Sequence, residues 1–504
     1  MRMETSSYNQ LLHVKAKLGR PSIATASIFV IGCLTFLGTI VSTVPFLILG
    51  SGACLIAIVL LLWTNDEPPI LMLPALFQWS EVALVPISTI WLKVPLQELS
   101  TYGADLNASA IYGLLGVLAL AIGMKIGAGR KPIRSVSFSE RIKSEAMRWP
   151  QAKVFQVSTI LIFAGYIFAT AMWSVGPLRE PFGQAANLKY IGLFILTYWC
   201  LLNGRSYGVL ALIVCFEIGF GMTGFFANFK NSILTFFVAA LFAKPRIRPL
   251  DLITVLLAAT TIIFVGIFWS AIKPDYREFV NKGSGAQIVE VPLSARIDFL
   301  TNAASTLDGE KVADGFQRLV SRHGYIEFLG LVLQNVPQVV SFQNGQITAA
   351  VFRHIAIPRL VWPGKPMLPN DTEVMSKYTG LPMTWNSDTS ISIGYLGELY
   401  ADFGYLGGLM GASIIGALVG AVYRTVRNNE SGSALVAGGL CLMIVLPIAY
   451  FGTAYVKLVG AFVMTAVIVL IMSYFVVPTL FRRPNGVYDK SVNAPKSVRK
   501  FSRI

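Results

Sequence analysis

Two carboxylates, Glu398 and Asp402, stand four residues apart near the start of an apolar run. At this spacing both side chains share one face of a helix. A carboxylate at a membrane interface can accept the proton of a hydroxyl group or bind that group. The structural alternative is that Glu398 caps a helix start or pairs with a cation. We retain both residues as candidate catalytic groups.

Histidine is a second kind of base, because its charge changes near neutral pH. The chain has three, His13, His323 and His354. His323 and His354 can both act as bases, and we select His354 because it lies in a distinctive segment, although a lone loop histidine is more often structural. No carboxylate–histidine cluster has metal-ligand spacing, and all five cysteines lie inside apolar runs. We therefore expect metal-independent chemistry without a cofactor and without a disulfide framework.

Composition indicates which elements must position these residues. Of the 504 residues, 54% are hydrophobic and 13% are charged, whereas a soluble domain has about 25% charged residues. Mean hydropathy is +0.63. This composition excludes a soluble enzyme, a disordered chain and a nucleic-acid-binding domain, although the formal net charge is +15. It indicates a polytopic membrane protein.

Twelve apolar runs have roughly the length that crosses a bilayer, so we predict an all-α polytopic integral membrane protein with about 12 transmembrane helices (11–13). The runs are 23–43, 44–63, 70–92, 107–126, 154–175, 188–202, 207–227, 231–243, 252–272, 403–423, 434–451 and 456–477. The sixth and eighth are short enough to be re-entrant. The predicted parts are an N-terminal membrane bundle (1–272), one large helical extracytoplasmic loop (273–388), a C-terminal membrane bundle (389–480) and a basic tail (481–504).

Basic residues predict the orientation. They concentrate in the N-terminal arm, in the loops after the fourth and eighth runs, and in the C-terminal tail. Twelve alternating helices put all four regions on one side, which the positive-inside rule identifies as the cytoplasm. Both termini are then cytoplasmic, and the 273–388 loop lies outside.

Two features inside the apolar runs are also informative. Glu81 and Glu217 are ionisable groups within predicted membrane helices, where such a group is functional by default or pairs with another helix. Small residues recur every four positions in the tenth run, which predicts close helix packing. They are Gly404, Gly408, Ala412, Gly416 and Gly420.

Two segments resemble a known family. Residues 357–366 read IPRLVWPGKP, and residues 394–408 read GYLGELYADFGYLGG before a glycine-rich helix. Together they resemble the bacterial O-antigen and exopolysaccharide repeat-unit polymerases of the Wzy type, which are polytopic and carry a large external loop before their last helices. Residues 229–233 and 273–277 add weaker support. The family pattern often has asparagine in place of Asp402 and an acidic residue in place of Gly364.

The resemblance implies a glycosyltransferase of polysaccharide biosynthesis in the cell envelope. A growing glycan on undecaprenyl diphosphate is transferred to the non-reducing end of the next lipid-linked repeat unit, at the outer face of the bacterial cytoplasmic membrane. The bond that breaks joins a sugar to the diphosphate. The implied partners are the undecaprenyl-diphosphate-linked oligosaccharide and membrane lipids, with no nucleic acid. Whether a chain-length-regulating co-polymerase docks stays open.

This reaction requires cations, because fixed positive charge stabilises the negative charge that develops on the leaving diphosphate. Arginine suits the task because its planar fork meets phosphate oxygens bidentately. The alternative is that such residues are ordinary surface charges or bind lipid headgroups. The candidates are Arg359, Lys365, Arg353, Arg318, Arg322, Arg277 and Lys230.

Three other functions share parts of this pattern. An O-antigen ligase uses the same donor but passes the glycan to a lipid A core. A transporter or flippase for lipid-linked sugars is a second alternative, although such proteins tend to show internal repeats, and this chain shows none at a fixed period. A glycosyltransferase that uses polyprenyl-phosphate sugars is the third, for which Glu98 and Asp105 are candidate acidic residues.

Overall fold

The computed structural model describes residues 23–64, 67–129, 136–224, 229–243, 249–284, 288–357, 361–362, 364–366, 368–382 and 391–481, with side chains except at 23, 249–259, 262, 321 and 322. All regular structure in these ranges is helical. The α-helices are α1 (Ile23–Val41), α2 (Pro45–Leu62), α3 (Met72–Leu92), α4 (Leu106–Ala128), α5 (Phe138–Arg148), α6 (Gln151–Ala171), α7 (Arg179–Ala185), α8 (Leu188–Asn203), α9 (Tyr207–Met222), α10 (Phe229–Ala243), α11 (Pro249–Val280), α12 (Leu293–Ser305), α13 (Gly309–His323), α14 (Glu327–Asn335), α15 (Gln346–Ala356), α16 (Asp371–Thr379), α17 (Gly394–Asn428), α18 (Ala434–Val445), α19 (Tyr455–Ile471) and α20 (Val477–Leu480).

Within these residues, eight helical segments are long and apolar enough to cross a membrane. They are Ala24–Val41, Pro45–Leu62, Pro69–Leu92, Leu106–Ala128, Gln151–Ala171, Gly176–Asn203, Gly394–Asn428 and Tyr455–Leu480. Shorter apolar helices are Tyr207–Met222, Phe229–Ala243 and Ala434–Ile448. The chain is therefore a polytopic helical membrane protein. Each of the twelve predicted runs contains a helix, while the number of membrane crossings stays a prediction.

The helices α4 and α17 pack against each other through the predicted stripe of small residues. A Cβ on Gly416 would lie 2.2 Å from the Leu120 carbonyl oxygen, and one on Gly420 would lie 2.3 Å from the Met124 oxygen. Neither position has room for a side chain, so the two backbones approach closely. The predicted packing role of the stripe is confirmed.

The helix α17 begins at Gly394, whereas the apolar pattern placed its start near 403. The chain bends at Gly404, whose φ of 73° lies in the left-handed region that favours glycine. Residues 394–402 before the bend are all buried. Tyr405 and Leu406 after it are 54% and 72% exposed, as side chains that face lipid are. The predicted start near 403 therefore coincides with the bend at which one helical segment meets the next. The segment before the bend was missed because its carboxylates are surrounded by protein and not by lipid.

The helix α11 also exceeds its prediction, because it continues beyond residue 272 to Val280. Tyr276 and Val280 are fully buried and pack with Trp269 and Phe229. These apolar positions recur at helical spacing, so the same face continues past the end of the apolar run.

Polar contacts mark two opposite ends of the bundle. At one end, Arg427 donates to Glu67 Oε1 at 2.8 Å and to the Ala128 carbonyl at 3.0 Å. At the other end, Glu327 accepts from the Ser100 hydroxyl at 2.8 Å. The first contact joins segments predicted to be cytoplasmic, and the second joins segments predicted to be outside. The side of the membrane on which each end lies stays a prediction.

The segment between α11 and α17 packs against the helices of the bundle. The helix α13 runs along α11, where a Cβ on Gly315 would lie 2.7 Å from the Ile267 carbonyl oxygen. The Tyr325 N–H donates to the Glu81 carbonyl of α3 at 3.0 Å. Leu329 of α14 is fully buried in the hydrophobic core that it shares with the bundle. The end of α13 is thereby held beside the middle of α3.

Candidate functional site

Three titratable side chains from three helices meet where α13 ends. They are Glu81 of α3, Lys230 of α10 and His323 of α13. Lys230 acts electrostatically on both of the others. The side chain of Lys230 is exposed, while the protein atoms around it lower the pKa of its ammonium group, an effect that Glu81 opposes. We call these three residues and the groups that hold them the Lys230 crevice.

Lys230 is held in place by the residue before it. Phe229 is buried against Trp269 at the start of α10, which fixes the first helical turn. In the described part of the chain, Lys230 has neither a hydrogen bond nor an ion pair. Its positive charge adds to that of the α10 N-terminus. The crevice therefore presents positive charge that a bound anion can use.

Glu81 anchors the turn between α18 and α19. Its Oε2 accepts a hydrogen bond from the Phe451 N–H at 2.5 Å, and the side chain is only 7% exposed. Its backbone carbonyl holds Tyr325, as described above. Glu81 thus fixes two neighbouring segments, while its carboxyl group faces the charge of Lys230.

His323 is held by the turn of α3 that precedes Glu81. Its Nε2 lies 2.9 Å from the Ser80 hydroxyl oxygen, and the Phe77 ring packs edge-on against the imidazole at a centroid distance of 5.5 Å. Burial and, second, the positive charge of Lys230 lower the pKa of His323 to about 4. The imidazole is therefore neutral at pH 7.

A polar and aromatic wall completes the crevice. The Tyr450 hydroxyl donates to Asn231 Oδ1 at 3.0 Å, and its ring packs edge-on against Phe77 at 5.0 Å. An exposed ammonium group beside a neutral imidazole can bind an anion and accept a proton. Across the described ranges, no group of three or more His, Cys, Asp or Glu side chains could hold a metal ion.

The predicted carboxylates are engaged with backbone N–H groups elsewhere. Asp402 is fully buried, and its two oxygens accept three hydrogen bonds of 2.8–3.2 Å at the start of α15. The donors are Gly345, Ile347 and Thr348. Glu398 Oε1 accepts from the Tyr455 N–H, the first residue of α19, at 2.9 Å. Each carboxylate therefore caps the start of a neighbouring helix.

The predicted residues of the proline-rich segment lie at the other end of α15. Lys365 is buried, and its Nζ donates to the carbonyls of His354 and Ile357, the latter at 2.7 Å. It thereby caps the helix C-terminus. Arg353 is exposed and His354 half-buried in the last turn of α15. Arg359 lies outside the described residues.

The remaining predicted cations lie on α11 and α13. Arg318 forms an ion pair with Asp314 one turn earlier, at 2.9 Å, with both side chains exposed. Arg277 is half-buried in the last turn of α11. The Arg322 side chain lies outside the described part. Among the predicted cations with described side chains, Lys230 is the one in the crevice.

The second intramembrane carboxylate, Glu217, is satisfied inside the bundle. It accepts from the Tyr166 hydroxyl at 2.7 Å, from Lys189 Nζ at 3.2 Å and from the Ser232 hydroxyl at 3.1 Å. Glu217 therefore fits the structural alternative, in which the carboxylate pairs with groups on other helices.

Sequence reasoning named the members of the crevice one by one and gave no reason to join them. The available signals were a carboxylate within one apolar run and a cation at the end of another. The contact between Ser80 and His323 spans 243 residues, so no local pattern reveals it. Comparisons of the chain with protein-family models, curated proteins and solved structures found no match.

Proposed function

We propose that this chain is a glycosyltransferase that polymerises lipid-linked repeat units. It transfers the growing glycan from undecaprenyl diphosphate to the next lipid-linked unit at the outer face of the bacterial cytoplasmic membrane. The resemblance of residues 357–366 and 394–408 supports this function, as does the polytopic helical fold. The observation that carries the proposal is the exposed ammonium group of Lys230 in a crevice at the end of an apolar helix.

The charge of the crevice suits the leaving group. When the bond between the anomeric carbon and the diphosphate breaks, the electron pair stays on the diphosphate oxygen. Lys230 stabilises this developing charge, and a cation already in position does so without reorganising. Glu81 keeps the nearby turn in place.

In this proposal the motif residues position helices. Asp402 and Lys365 hold the two ends of α15, and Glu398 holds the start of α19. Both Asp402 oxygens, Glu398 Oε1 and the Lys365 nitrogen are occupied by backbone groups, so these atoms are poorly placed to react with substrate. The motif then corresponds to the joint between the external segment and the membrane bundle.

The test is polymerisation by the purified full-length protein in nanodiscs. Given lipid-linked repeat units, the wild type should produce a ladder of glycan lengths. Lys230→Met should lower the rate at least about 100-fold, because one donor to a developing oxyanion contributes about that much, and Lys230→Arg should recover part of it. The matched control is Lys282→Met, since Lys282 is 63% exposed in a surface ion pair. A Lys230→Met enzyme with full activity would remove the crevice from the mechanism.

The same preparation separates the alternative functions. A single transfer to lipid A core without a ladder identifies an O-antigen ligase. Movement of the lipid-linked sugar across the bilayer without a new glycosidic bond identifies a transporter or flippase. Either result replaces the polymerase proposal.

A further inference from the structure

The hydrogen bonds around Ser80 determine which nitrogen of His323 carries the proton. A serine hydroxyl has one hydrogen to donate. The Ser80 hydroxyl lies 2.7 Å from the Phe77 carbonyl oxygen, and a carbonyl can only accept, so the hydrogen points there. The 2.9 Å contact with His323 Nε2 must then use a hydrogen on the imidazole. The neutral ring is therefore the Nε2–H tautomer, and Nδ1 keeps its lone pair.

Nδ1 is the available proton acceptor of the crevice. The side-chain contacts of His323 within the described residues are those with Ser80 and Phe77 and the charge of Lys230. None of them occupies Nδ1. The ring is half-buried and fixed at Nε2, which is how a general base is oriented for one proton.

Within the described residues, charged and titratable groups near this ring lie on three elements. Helix α3 contributes Glu81, helix α10 contributes Lys230, and the turn before α19 contributes Tyr450 behind Phe77. Arg322 precedes His323 in α13. Since the Glu81 carboxyl group is held by Phe451, Lys230 is the charge whose effect a bound anion would change most.

We infer that His323 Nδ1 is the catalytic proton acceptor for the acceptor sugar hydroxyl, and that a diphosphate bound at Lys230 makes it basic enough to act. This inference rests on the proposed function. The acceptor oxygen forms a bond to the anomeric carbon as its proton moves to Nδ1. The bond to the diphosphate breaks, and the electron pair leaves with the diphosphate, opposite Lys230. The imidazolium then returns its proton to water.

The coupling has a simple physical origin. In the empty crevice the Lys230 charge opposes protonation of the imidazole, so His323 stays neutral. A bound diphosphate neutralises that charge, which favours the imidazolium. The base therefore gains strength when the leaving group is in place, and the Ser80 bond keeps the same nitrogen available throughout.

The decisive experiment is nitrogen NMR of ¹⁵N-histidine in the full-length protein in nanodiscs. The chain has only three histidines, and the signal lost in His323→Gln assigns the one required. Inorganic pyrophosphate is the probe. At pH 7 we expect the Nε2–H tautomer, and we expect pyrophosphate to raise the midpoint of His323 protonation by about one pH unit or more, as a neighbouring charge does. In Lys230→Met, the midpoint should be raised without pyrophosphate and should no longer respond to it.

Two variants separate catalysis from folding. With lipid-linked substrate, His323→Gln should lower kcat about 100-fold or more with KM unchanged. Ser80→Ala should mix the two tautomers in the NMR spectrum and lower kcat less. An Nδ1–H tautomer in the wild type, or no response to pyrophosphate, would overturn the inference.

These results distinguish the two proposals. If the wild type makes a glycan ladder and His323→Gln is equally fast, the role of His323 as a base is refuted and the polymerase proposal stands. If the wild type makes no ladder but shows the Nε2–H tautomer and the pyrophosphate response, the polymerase proposal is refuted and the coupling between Lys230 and His323 stands.

Discussion

The substitution Asp402→Ala removes the acceptor of three backbone N–H groups at the start of α15. A buried N–H left without a partner costs about 1–3 kcal/mol. The first turn of α15 is half-buried, so water can replace part of the lost bonding, and we expect a total of about 3–5 kcal/mol. Asp402→Asn keeps one carbonyl oxygen and should cost about 1–2 kcal/mol, because the amide nitrogen cannot accept from Thr348.

The assay is tryptic cleavage after Arg353, which is exposed in the last turn of α15. When opening is fast, cleavage follows the population of the undocked helix. A loss of about 3 kcal/mol raises that population about 100-fold, so Asp402→Ala should be cut far faster than the wild type. The matched control is Asp308→Ala, because Asp308 caps exposed α13 with one hydrogen bond to the Lys311 N–H and should cost only about 1 kcal/mol.

The glycan ladder measured on the same variants decides between a capping and a catalytic carboxylate. If Asp402 positions α15, Asp402→Asn should keep more activity than Asp402→Ala, in the order of their stabilities. If Asp402 were a catalytic base, both variants would lose activity to the same extent. An Asp402→Ala protein with wild-type cleavage and thermal stability, but no activity, would refute the capping argument.

Further predictions concern packing, pH and topology. Gly416→Val places a side chain against the Leu120 carbonyl and should lower the midpoint of thermal unfolding sharply. The control Gly32→Ala adds a methyl group in open space and should not lower it. Equal midpoints for the two variants would contradict the close helix contact. His323 has a folded pKa of about 4, below the ordinary value near 6.5, so the unfolded chain binds more protons as pH falls. Between pH 7 and pH 5 the wild type should therefore lose about 2 kcal/mol of folding stability that His323→Gln does not lose. Unfolding measured as a function of pH tests this, and parallel stability curves for the two proteins would contradict it. A reporter fused near residue 340 should read extracytoplasmic and one at the C-terminus cytoplasmic, and the reverse would invalidate the proposed site.

The sequence alone was sufficient for the class of fold. Apolar runs of membrane length predict helices because a backbone in lipid must satisfy its own hydrogen bonds, and each predicted run contains one. The packing role of the stripe from Gly404 to Gly420 was predictable for a similar reason, because spacing along one helix determines which residues share a face. Where protein and not lipid surrounds a helix, hydrophobicity does not mark its boundary, so the apolar pattern missed the end of α11 and the part of α17 before Gly404.

Tertiary structure decided what the polar residues do. Spacing could place Glu398 and Asp402 on one helix face, but only the folded chain brings the N–H groups of α15 and α19 to their oxygens. Lys230 was named from sequence, yet its exposure in a crevice beside Glu81 and His323 depends on α3, α10 and α13 converging. The tautomer of His323 depends on a hydroxyl 243 residues away. A side chain's chemistry follows from its partners within a few ångströms, and in a long chain those partners are set by packing between helices that no local pattern records.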